Sequence, residues 1–88
     1  MSAELLEAAW LARCGSLSEK VVLLACADGA NAEGRVRVDP AQWSPRVGMS
    51  AARIDAALSS LGRAGLVDLC RWDDSGCWSV RVLVGGQR

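Results

Sequence analysis

Four residues, Val47-Gly48-Met49-Ser50, constrain this chain more than any others, because they must close one helix and open the next. Glycine can take the left-handed backbone that ends a helix tightly, and Ser50 can cap the following helix by accepting a hydrogen bond from a free N–H of its first turn. Upstream, Asp39 is a good N-cap and Pro40 suits the first helical position. Downstream, Ile54, Ala57, Leu58 and Leu61 recur at helical spacing until Gly65-Leu66-Val67. The spacing predicts a helix from Pro40 to Gly48 and another from Ala51 to about Ala64, crossing at a sharp turn. Pro45 falls inside the first of these, at a typical cost of about 3 kcal/mol in a regular helix, so a kink or a 3₁₀-like last turn is expected there.

The rest of the chain supplies elements to cover this pair. Ser2-Ala3-Glu4 offers a cap and an acidic first turn for a helix striped with Leu5, Leu6, Ala9, Trp10 and Ala12 and ending near Gly15. Ser18 precedes a second, more apolar helix that runs through Cys26 and stops at Asp28-Gly29. A loop over 28–33 leads to Gly34-Arg35-Val36-Arg37-Val38, whose alternation marks a short strand with its valines inward. Leu66 to Val84 reads as a hairpin turning at Asp73-Asp74-Ser75-Gly76. That loop pairs Trp72 with Cys77, Arg71 with Trp78 and Leu69 with Val80, and places Val67, Leu69, Val80 and Val82 on one face. The expected fold is α+β: four helices, a short strand and a C-terminal hairpin in one domain spanning 1–88. Residues 1–15 form an N-terminal helix, 18–84 the core unit and 85–88 a frayed tail.

Composition narrows the function. With 88 residues and 51% apolar side chains, the chain can fill one modest core. No apolar run approaches the roughly 20 residues of a membrane span, and the N-terminus lacks a basic leader, so a soluble cytoplasmic protein is expected. The formal charge is zero, but residues 1–34 carry five carboxylates against two cations, and residues 35–88 carry eight arginines against five aspartates. Cys14, Cys26, Cys70 and Cys77 form no C-x-x-C pair and there is no histidine, which argues against a metal site. Without a secretory signal, Cys70 and Cys77 are expected to stay reduced although they flank a turn. With no acid–base histidine, phosphate loop or serine elbow, neither enzymatic activity nor a cofactor is expected.

The segments Val22-Leu23-Leu24-Ala25, Asn31-Ala32-Glu33-Gly34-Arg35, Val47-Gly48-Met49-Ser50 and Leu61-Gly62-Arg63-Ala64-Gly65-Leu66-Val67 make the stretch from Lys20 to Leu69 resemble the helix-turn-helix family of plasmid and phage replication initiators and small regulators. The element order is that of a winged helix. The resemblance implies double-stranded DNA as partner, with Ser50, Arg53, Arg46, Arg63, Arg71 and Arg81 at the interface. The chain departs from the family just after Ser50, where polar or basic residues are usual and Ala51, Ala52, Asp55 and Ala56 stand instead. Asp73 and Asp74 at the expected wing tip would also be repelled by phosphates. These departures motivate an alternative ranked after DNA binding, a winged helix that docks a nucleic-acid-binding protein through the alanine-rich fourth helix, the acidic tip Asp73-Asp74, or Trp72 and Trp78. Trp43 is expected to pack inward. Leu5, Leu6 and Trp10 of the first helix are candidate homodimer contacts.

Overall fold

The turn at Gly48 forms as its residues require. In the computed structural model, which describes residues 3–71 and 76–84, helix α3 (Pro40–Val47) and helix α4 (Ala51–Arg63) meet there. Gly48 takes φ 78° and donates its N–H to the Ser44 carbonyl at 3.0 Å. Ser44 Oγ donates to the Met49 carbonyl at 2.7 Å, which ties the end of α3 to the turn. The two N-caps act as their types suggest, Asp39 accepting from the Ala41 N–H and Ser50 from the Arg53 N–H, each at 3.1 Å.

Of the kink or 3₁₀-like last turn expected at Pro45, the 3₁₀ turn does not form. The bond from Gly48 to Ser44 spans four residues, so α3 ends in α-helical geometry. The carbonyl that Pro45 leaves without its helical donor belongs to Ala41, an exposed residue of the first turn that water can reach.

Two more helices precede this pair, α1 (Ala3–Leu11) and α2 (Leu17–Gly29), and both have boundaries that differ from the expected ones. Helix α2 starts from Ser16, not Ser18. Ser16 Oγ accepts from the Glu19 N–H at 3.2 Å, while the Glu19 carboxylate reaches back to the Gly15 N–H at 3.1 Å. This exchange satisfies donors that a start at Ser18 would leave bare. Helix α1 stops at Leu11, four residues short of Gly15, because Lys20 of α2 draws its end in. The Lys20 ammonium donates to the carbonyls of Ala9, Trp10 and Ala12 at 2.5 to 2.9 Å.

Strands β1 (Arg35–Val38), β2 (Val67–Arg71) and β3 (Trp78–Val82) form an antiparallel sheet in the order β1-β3-β2. The hairpin register matches the sequence expectation, with Arg71 opposite Trp78, Leu69 opposite Val80 and Val67 opposite Val82. The Trp72 and Cys77 pairing lies outside the described residues, as do the 85–88 tail and Asp73-Asp74-Ser75 of the turn. Gly65 (φ 79°) closes α4, and the Leu66 N–H returns to the Leu61 carbonyl at 3.0 Å before β2 begins. Asn31 Oδ1 accepts from the Glu33 and Arg35 N–H groups at 2.9 and 3.0 Å and so shapes the loop into β1.

The core lies between α2, α4 and the inner sheet face. Leu23, Ile54, Leu58, Leu61, Val38 and Val80 are fully buried there, with Leu5 and Ala9 of α1 closing one side. Burial pushes the Cys26 thiol up to about 12. The fold is thus α+β, four helices with a three-stranded antiparallel sheet. Among the described residues no helix is long and apolar enough to cross a membrane.

Candidate nucleic-acid interface

Helix α4 presents four sides, each with a different environment. Ile54, Ala57, Leu58 and Leu61 face the core. Ala52, Ala56 and Arg63 are exposed, with half-buried Ser59 between them, and form the outward ridge. One flank carries Arg53, Ala56 and Ser60 toward Ser16, Ser18 and Glu19 at the start of α2, across a shallow depression of about 130 Å³. The other flank carries Asp55 and Gly62 toward the hairpin. The hairpin comes close at Gly62, where a Cβ would lie 3.1 Å from Leu69 Cδ1 and would need that side chain to shift by a few tenths of an ångström.

Asp55 has a definite task. Its Oδ1 accepts the Trp78 indole N–H at 2.8 Å, and the Arg71 guanidinium lies over the same indole ring at 4.1 Å from its centroid. Arg71 and Trp78 are register partners on the face of the hairpin that looks toward α4. The chain Arg71, Trp78, Asp55 therefore pins the hairpin to the first half of α4. A hydrogen bond to a charged group contributes about 1.5–3 kcal/mol and a partly exposed cation–π contact about 0.5–1 kcal/mol.

The sequence-derived site residues divide into three places. Ser50, Arg53 and Arg63 belong to α4, and Arg71 joins them through Trp78. Arg46 sits in the last turn of α3, on the rim of a groove of about 430 Å³ between α2, β1 and α3. Gln42, half-buried Trp43, Arg37 and Asp28 share that groove, so Trp43 both touches the core and lines open space. Arg81 stands apart. It points from the outer sheet face, flanked in register by Arg35 and Asp68, whereas Arg71 points from the inner face.

The candidate protein contacts and dimer contacts are likewise redistributed. Trp78 is half-buried, with ring and N–H both engaged within the chain. Trp72, Asp73 and Asp74 lie outside the described residues. Leu5 is corrected from surface contact to core: at 6% exposure it has almost no area to offer a partner. Leu6 is partly buried against the same core, and Trp10 is 62% exposed.

Two contacts that shape this surface, those of Asp55 and Lys20, are not legible in the sequence. Asp55 stands in the sequence only as a departure from the basic residues usual after Ser50; its place next to Ile54, one position round the helix from the buried stripe, is the sign that it borders the hairpin. Lys20 had no such sign, because its partners are backbone carbonyls. No family model, curated protein or solved structure matches the chain.

Proposed function

We propose that this chain is a winged-helix protein that binds double-stranded DNA, with α4 as the helix in the major groove and the β2–β3 hairpin as the wing. The observation that carries the reading is the Asp55 to Trp78 hydrogen bond. It turns the one carboxylate of α4 toward the hairpin, and it stations Arg71 beside the helix. The cations around α4 are then Arg53, Arg63 and Arg71, all exposed. Ser50 and the first N–H groups of α4 suit a phosphate, and Arg53 and Arg71 suit phosphate or guanine. Ala52 and Ala56 on the outward ridge are small enough to meet thymine methyl groups. Few base contacts are available in this set, so affinity comes chiefly from phosphates. The element order and the β1-β3-β2 sheet support the winged-helix reading. A small phage- or plasmid-type regulator of transcription or replication, working in the cytoplasm, accords with the family resemblance.

Anisotropy of a labelled random duplex, titrated with protein at low and moderate salt, tests this. Binding should weaken as salt rises and weaken further in Arg53→Ala, Arg71→Ala, because each lost phosphate contact lowers both affinity and the salt slope. A flat titration at low salt would remove the reading. A second reading is favoured by Ala52 and Ala56 themselves: an exposed ridge of small side chains lets a partner's backbone approach α4 closely. Under that reading the protein docks a nucleic-acid-binding protein, and bulky Ala56→Arg abolishes the protein contact while duplex binding is absent.

A further inference from the structure

The exposed large apolar side chains among the described residues are Trp10, Leu11 and Leu17, at 62%, 80% and 79%. They occupy one corner, the end of α1 and the start of α2. Lys20 ties these two stretches of backbone together: its ammonium is bonded to the Trp10 carbonyl, and its backbone is one helical turn from Leu17. Isolated exposed leucines need no explanation, but three large apolar groups converging on one corner of a small chain mark an interaction surface.

The charges around the patch say what covers it. Glu7 is exposed one turn before Trp10 and Leu11, and Arg13 is exposed just after them. We infer that the occupant is a second copy of this chain. Two α1 helices packed antiparallel about a two-fold axis near Trp10 and Leu11 bring Trp10 and Leu11 of one copy onto the same two residues of the other. The same axis brings Glu7 of each copy to the stretch of the other that carries Arg13, so both ion pairs form at once. An isologous contact requires this self-complementarity. Leu17 extends the apolar centre from the α2 side. Leu5, now in the core, takes no part. The patch is small beside a standard interface of about 800 Å² per partner, so the dimer is a weak one that forms as protein concentration rises.

Sedimentation velocity on the intact 88-residue protein, run without DNA from micromolar to millimolar concentration, tests the inference independently of nucleic-acid binding. The wild type should pass from monomer to dimer. Leu11→Glu, Leu17→Glu should remain monomeric with an unchanged circular-dichroism spectrum. Glu7→Arg and Arg13→Glu should each weaken association, since each sets like charges against one another. An equimolar mixture of those two variants should restore it, because the heterodimer regains both opposite-charge pairs. A wild type that stays monomeric throughout, a dimer that survives Leu11→Glu, Leu17→Glu, or a mixture no tighter than either variant alone would each overturn it.

Discussion

Two tryptophans, Trp10 and Trp78, mark opposite solutions to the same problem of placing a large ring on a small protein. At the α1–α2 corner the backbone is satisfied and the side chains are left bare: Lys20 bonds three carbonyls, while Trp10, Leu11 and Leu17 face water. At the α4–hairpin corner the ring is absorbed and the charges are left outside, with Trp78 held by Asp55 and covered by Arg71. The first corner offers apolar area and the second offers cations. Surfaces of these two kinds recruit different partners, the first another apolar face and the second an anion.

The largest expected effect lies in the core, toward the far end of the helix α2 that starts at the first corner. Cys26 on α2 is held protonated in the folded state up to about 12, against 9 for a free thiol. Its folded pKa is raised, so the associated stability is fully present below pH 9 and is lost as pH climbs from 9 toward 12. The loss is on the order of 4 kcal/mol when complete. Urea midpoints across that interval should fall more steeply for the wild type than for Cys26→Ala; equal slopes would show that the thiol is not the group responsible.

Lys20→Met separates satisfied backbone from exposed side chain at the first corner. It keeps the aliphatic stem and deletes the donor to three carbonyls, for an expected loss of about 1–3 kcal/mol in thermal or urea unfolding. Hydrogen exchange should rise at the end of α1 more than in α4. If stability were unchanged, the short α1 would owe its end to something other than this contact.

The smallest effect on stability belongs to the second corner, where Asp55→Ala should cost about 1.5–2 kcal/mol by releasing the indole N–H, the low end for a bond to a charged group because both residues are only half-buried. Its consequence for binding is the sharper readout. Freeing the hairpin removes Arg71 from its place beside α4, so duplex affinity should fall although a negative charge has been deleted. Affinity that rises instead would mean that Asp55 acts as a repulsive charge and not as an anchor.

Much of the fold was legible along the chain. Gly48, Ser50, Asp39-Pro40 and Gly65 are local signals whose partners lie within a few residues, and the valine alternation carried the hairpin register with them. The α2 start was misplaced by two residues because Ser16 and Ser18 are equally good caps by type, and only the return bond from Glu19 to Gly15 separates them. Of the candidate site, the α4 residues were legible and their grouping was not. Arg71 and Arg81 both look like surface cations in sequence, yet strand alternation sends them to opposite faces of the sheet.

What the sequence determined by itself was the order and type of the elements, because caps, turns and apolar periodicity act over one or two turns of chain. Tertiary structure decided the contacts that span the molecule. Trp78 and Asp55 are 23 residues apart, and Lys20 lies 8 to 11 residues from the carbonyls it binds. Whether Leu5 is core and Leu11 is bare was decided in the same way, by which side of α1 meets α2. A side chain's type sets what it can bond, but the packing of helices and strands sets what comes within reach.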